Sequence, residues 1–296
     1  MSAEARGYLE HAVSLMQAHS YKRLAIDWDA FRSAVFARVS AAQSTSDTYP
    51  GIALGTSLLA DNHSTFATPS GYVLTPRTRS CSAPDAVRSA VPANISYVKV
   101  GTFGGIGDTA LAYADELQRA IAAADAAGVT AWIVDVRGNG GGNMWPMVAG
   151  VGPLLGEGVI GYFVDPVGQE VAWHYRDGAS WEGSNLAQRV SAPHTLRHPR
   201  PRVAVLIDAG VASSGEATVI AFRGRSDTRS FGTATCGLST AIENYALSDG
   251  ARLNLAISVM ADRTRATYGY AVSADEFILD PAEVVPRAIE WLQEGR

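Results

Sequence analysis

Ser213 follows the apolar run 203–207 and Asp208, and it opens the segment Ser213-Ser214-Gly215-Glu216. A hydroxyl at a strand-to-helix turn is held rigidly, and the free amides and positive end of the following helix can stabilise a developing oxyanion. The same four residues spell a capping box, with Ser213 capping the helix and Glu216 reaching back to its amide; taken alone they favour that structural role. A second loop, Arg137-Gly138-Asn139-Gly140-Gly141-Gly142-Asn143, follows the apolar run 132–136. It is so poor in side chains that its backbone amides can approach a bound group closely. Asn143 stands where a dinucleotide fingerprint needs glycine, and no Gly-Lys-Ser/Thr follows, which argues against nucleotide binding. Two readings stay open for this loop: a tight strand-to-helix turn, or an oxyanion site.

A nucleophilic serine needs a base, and the chain has six histidines. His11 and His19 lie in an N-terminal helical stretch, and His174 lies in a strand-like run. His194 and His198 are four apart, as zinc ligands on a helix would be. They are flanked by Pro193 and Pro199, and Thr195 replaces the glutamate of the metalloprotease motif, so no metal site is expected. His63 lies in Leu58-Leu59-Ala60-Asp61-Asn62-His63-Ser64-Thr65-Phe66, past a helix end and beside polar groups able to orient it. By itself it is an ordinary loop histidine.

The elements that must position these residues follow from periodicity. Tyr8, Ala12, Leu15 and Met16 recur at helical spacing, as do Trp28, Phe31, Val35 and Val39 after a cap at Asp27, and a third helix is expected over 50–60. Residues 69–92, rich in Ser, Thr, Pro and Arg, form a connector. Strands and helices then alternate: strands over 95–101, 131–136, 159–164, 170–175, 203–208 and 253–260, helices over 108–127, after the glycine loop, after Ser213 and over 281–294, and an exposed excursion over 180–198. The alternation indicates an α/β core.

The 296 residues are 47% hydrophobic and 18% charged, which suits one large core with an appendage. A net charge of -5 and the absence of a long basic run exclude the footprint of a nucleic-acid binder. No apolar stretch approaches a membrane span, and the N-terminus lacks a signal-peptide pattern, so a cytoplasmic address and neither nucleic acid nor membrane as partner are expected. Cys81 and Cys236 are far apart, without metal-ligand spacing, and read as packing thiols.

Six segments in order resemble the family of C-terminal processing (tail-specific) peptidases, tricorn core peptidases and interphotoreceptor retinoid-binding protein. They are Leu59 to Phe66, Ile95 to Val100, Val134 to Gly142, Val205 to Glu216, Gly232-Thr-Ala-Thr235-Cys236-Gly237, and Leu247-Ser-Asp249-Gly250-Ala-Arg-Leu253. The resemblance implies a crotonase-like, Clp-protease-like α/β core over 73–296, after an N-terminal helical subdomain over 1–72. Too little sequence is left for an inserted recognition domain, so no PDZ domain is expected. It implies Ser213 as nucleophile, with Gly141 and Ser214 as oxyanion donors and Gly140 as the neighbouring alternative. The activating lysine of processing peptidases falls at Leu238, which cannot accept a proton; tricorn-like members use a histidine in the segment that His63 matches. Their serine before that histidine is Asn62 here, and their supporting glutamate aligns with Tyr268, which leaves Asp61 and Asp262 as orienting candidates. The activity implied is that of a serine peptidase or acyl hydrolase acting on a peptide or small acyl substrate without a cofactor. A small-molecule esterase, amidase or biosynthetic tailoring enzyme, and a non-catalytic ligand-binding homologue, are the alternatives on the same fold.

Overall fold

In the computed structural model residues 1–74 and 80–294 are described; residues 75–79, inside the expected connector 69–92, lie outside the described residues. Three helices come first: α1 (Ala3–His19), α2 (Trp28–Arg38) and α3 (Tyr49–Leu58). The Asp27 carboxylate caps α2 by accepting from Asp29 and Ala30 N–H, both at 3.1 Å, as its position before the apolar stripe predicts. Then follow β1 (Thr65–Ala67), β2 (Ile95–Lys99), α4 (Asp108–Ala126), β3 (Ala131–Asp135), α5 (Met144–Gly150) and α6 (Gly152–Leu155). The chain continues through β4 (Gly158–Val164), β5 (Glu170–Arg176), β6 (Ala179–Glu182), β7 (Asn185–Arg189), β8 (Arg202–Ile207), α7 (Ser214–Phe222) and β9 (Thr228–Gly232). It closes with β10 (Thr240–Ala246), β11 (Arg252–Asp262), β12 (Glu276–Phe277) and α8 (Val284–Gln293).

The chain forms two compact units. Met1–Ser80, Val164–Gln169 and Thr240–Val259 make the first. Its core packs Leu9, Val13 and Met16 of α1 with Val35 of α2, Ile52 of α3, and Leu253 and Leu255 of β11. β11 lies between β1 and β10, antiparallel to both. The helical stripes read from the sequence are therefore only part of this unit, because a β-hairpin from far along the chain completes their core. Asp249 pins that hairpin's turn, accepting the phenol protons of Tyr8 and Tyr49.

Cys81–Phe163, Glu170–Ser239 and Met260–Arg296 make the second unit. Five parallel strands run in the order β12-β9-β8-β3-β2. β3 is buried along its whole length, and alternate residues face two different cores. Trp132 and Val134 of β3, with Val203, Val205 and Ile207 of β8, join the cluster beneath α5 and α7. Ile133 of β3, with Ala204 and Leu206 of β8, joins the cluster under α8. Burial on both faces explains why these strands read as continuous apolar runs.

Two expectations need correction. The excursion over 180–198 contains β6 and β7, which extend an antiparallel meander from β5. Ser180 is buried there because its hydroxyl donates to Trp145 O at 3.0 Å, so a polar residue faces inward and breaks the alternation that would have shown a strand. Cys81 and Cys236 are not packing thiols: they form a disulfide across a Cα–Cα distance of 5.3 Å. Their separation of 155 residues concealed the pairing.

Candidate active site

β3 and β8 are neighbours in register, Asp135 opposite Leu206, so the loops leaving their C-terminal ends emerge side by side. The outside of the carboxyl ends of parallel strands is the usual place for ligands in open α/β sheets. Backbone and side-chain bonds sew the two loops together: Gly138 N–H donates to Asp208 Oδ1 at 2.9 Å, and Ala212 N–H donates to Asn139 O at 2.9 Å. Asn139 is fully buried; its Nδ2 donates to the carbonyls of Val100 and Gly101 at 3.1 Å, and its Oδ1 accepts Gly141 N–H at 2.9 Å. Ser214 Oγ donates to Gly142 O at 2.7 Å. Below the loop, burial alone would push the Asp135 carboxyl up, but the Arg137 guanidinium and Lys99 ammonium hold it below the usual carboxylate range.

Gly141 is required where it stands. It has φ +103°, and a Cβ there would lie 2.9 Å from Ala212 O, 2.9 Å from the Ser213 Cβ and 3.1 Å from Ser214 N. Its backbone is thereby pressed against the serine. Ser213, half-buried, is the N-cap of α7 with φ 53°. Ser213 N–H donates to Glu216 Oε2 at 3.0 Å, as the capping box predicts.

Glu216 does more than cap. It is fully buried, and it also accepts the Thr235 hydroxyl, Gly237 N–H at 2.9 Å and Leu238 N–H at 2.7 Å. Burial pushes its carboxyl up, against the pull of these four donors. One carboxylate thus fixes the backbone of Ser213 and the whole Thr235–Leu238 turn. Leu238, which the resemblance sets at the position of the processing-peptidase lysine, donates its N–H to this carboxylate.

The oxyanion candidates differ in availability. Gly141 N–H is engaged by Asn139 Oδ1, and Gly140 N–H by Thr102 Oγ1 at 2.8 Å. The N–H groups of Ser214 and Gly142 have no acceptor among the described residues.

In the first unit, the histidine loop is shaped by two non-glycine residues at positive φ, Ala60 (53°) and Asn62 (59°). Asp61 holds this turn: Oδ1 accepts His63 N–H at 2.9 Å and Ser64 N–H at 2.6 Å, and Oδ2 accepts the Ser64 hydroxyl at 2.6 Å. Ser64 Oγ in turn accepts Ala256 N–H of β11 at 2.9 Å. The His63 ring presents Nδ1 2.7 Å from Thr240 Oγ1. In the second unit, Asp262 accepts from Thr264 N–H and hydroxyl at 2.7 and 2.6 Å, Ala266 N–H at 3.2 Å and the Tyr268 hydroxyl at 2.9 Å. Burial and that carboxylate push the Tyr268 phenol up. Both proposed orienting aspartates are therefore bound into their own turns. His194 is structural, with Nε2 3.0 Å from Asp125 Oδ2. Among the described residues, no three of His, Cys, Asp or Glu gather as cation ligands.

Thr240 and Asn139 were not singled out from sequence. Asn139 lay inside a recognised motif, where its buried side chain was overshadowed by the glycines. A threonine 177 residues from the histidine it meets carries no local signal.

The profile of peptidase family S41 matches residues 94–273. Nisin-resistance protein of Lactococcus lactis subsp. lactis is 28% identical over 207 residues, which cover 70% of this chain and 62% of that protein. The chain thus spans less than two thirds of this relative's length. Among solved structures, a lipoprotein from Streptococcus agalactiae superposes with a TM-score of 0.76 at 19% identity, over 99% of this chain and 97% of the other. The photosystem II D1 C-terminal processing protease does so with a TM-score of 0.66 at 15% identity, also over 99% and 97%. At these identities the likeness is one of fold.

Proposed function

This chain belongs to peptidase family S41, and on that premise we propose that it hydrolyses peptide bonds with Ser213 as nucleophile and His63 as its base. The observation that carries the reading is the turn at Ser213. The serine is held at the N-terminus of α7 by Glu216, with the Gly141 backbone against it and the Ser214 N–H uncommitted. His63 Nε2 takes the Ser213 proton as Oγ attacks the acyl carbon, then returns it to the leaving amine; water completes hydrolysis of the acyl-enzyme. Ser214 N–H is the first oxyanion donor. The second comes from the glycine run, where Gly142 N–H is open and Gly141 or Gly140 would have to release Asn139 Oδ1 or Thr102 Oγ1. Leu238 removes the Ser/Lys mechanism, since a leucine side chain accepts no proton.

The substrate we favour is a peptide of the kind named in the nisin-resistance relative. A fluorophosphonate probe followed by peptide mapping tests the chemistry. Wild type should carry the label on Ser213, Ser213→Ala should carry none, and mass spectrometry of nisin incubated with the protein should show cleavage by wild type alone. A folded wild type that takes no label, or a Ser213→Ala variant that still does, overturns the nucleophile.

A further inference from the structure

The His63 ring is anchored by a residue that none of the expected orienting groups anticipates. Asp61 spends both carboxylate oxygens on the loop backbone and on Ser64, so it fixes where the loop runs rather than which way the imidazole faces. Thr240 is the first residue of β10, is 2% exposed, and is paired with Val259 of β11. Ser64 is tied to Ala256 of the same β11. One β-hairpin therefore holds the histidine twice, by its loop and by its ring. A β-branched residue in a strand has few χ1 choices, which fixes the direction of the Thr240 hydroxyl.

We propose that Thr240 is the positioning residue of His63: its Oγ1 accepts the Nδ1 proton and so leaves the Nε2 lone pair for the Ser213 proton. This rests on the reading of His63 as the base. The task is the one a buried carboxylate performs in a serine triad, namely selecting tautomer and orientation. A hydroxyl does it without negative charge. The ring is aligned, while the imidazolium formed during attack gains less stabilisation than a carboxylate would give.

The test measures the second-order rate of fluorophosphonate labelling at Ser213, together with the ring ¹⁵N signals of His63, in wild type, Thr240→Val, Thr240→Ser, His63→Ala and Ser213→Ala. Thr240→Val is isosteric but lacks the acceptor, and labelling should slow by roughly 10–100-fold. Its ring nitrogens should shift away from the Nδ1–H tautomer, and Thr240→Ser should recover most of the rate. Loss of packing alone would lower the melting temperature without changing the tautomer. If Thr240→Val fails to fold, the wild-type ring signals still decide, because the proposal requires Nδ1 to carry the proton. A wild-type ring protonated at Nε2 alone, or Thr240→Val labelling at the wild-type rate while His63→Ala is slow, overturns the role of Thr240 and leaves the base in place. If His63→Ala labels as fast as wild type, the base reading falls and the positioning role falls with it.

Discussion

Glu216→Gln should lower the melting temperature by roughly 10 °C, equivalent to about 4 kcal/mol, although it changes one oxygen to one nitrogen. The carboxylate is surrounded by donors only: Ser213 and Leu238 N–H on Oε2, the Thr235 hydroxyl and Gly237 N–H on Oε1. A glutamine can satisfy one pair. Its least costly orientation turns the NH₂ toward Thr235, whose hydroxyl can rotate, but Gly237 N–H then faces another donor in a fully buried site. Each such orphaned group costs about 1–3 kcal/mol, and the surviving bonds lose the advantage of a charged acceptor. Thermal unfolding of the variant beside Glu216→Asp gives the check. A glutamine variant that melts with wild type would show that Glu216 is held protonated and donates one of these bonds, as the upward push of burial alone would have it.

Reduction of the Cys81–Cys236 bridge should also destabilise the chain, by up to about 5 kcal/mol in the chain-entropy account for a closed loop of 155 residues. The effect should reach the candidate site, since Cys236 lies between Thr235 and Gly237, both partners of Glu216. Melting curves with and without reductant should separate for wild type and coincide for Cys81→Ser. Two free thiols in unreduced, denatured protein would overturn the expectation. Structural disulfides persist in oxidising compartments and are rare in the cytosol. We therefore propose that the chain matures in an oxidising compartment.

What could be read from the residues alone depended on how local the cause was. β3 and β8 were legible because burial on both faces leaves an unbroken apolar run, and the capping box at Ser213 because its partners are three residues apart. α4 was bounded correctly by Gly128, which takes φ +87° just past its end. β6 was hidden because Ser180 turns inward to a carbonyl. β9, β10, β12 and the short β1 were not anticipated at all. β10 alternates only weakly, through half-exposed residues. At the site, Ser213 and the glycine loop announced themselves through spacing, whereas the partner of the His63 ring and the second cysteine depend on distant segments meeting. Asp61 and Asp262, the stand-ins for the supporting groups that the resemblance calls for, each accept from the backbone of their own turn.

The backbone at residue 213 has φ 53° and ψ −119°, a combination that side chains avoid and glycine adopts freely. Holding a serine there costs roughly 1–3 kcal/mol. Under selection for folding alone, glycine would be the fitter residue at this position, and any lineage released from the need for the hydroxyl would gain stability by drifting to it. The oxygen of Ser213 is thus held at a standing cost in stability, a cost that the nucleophilic role proposed for it would account for.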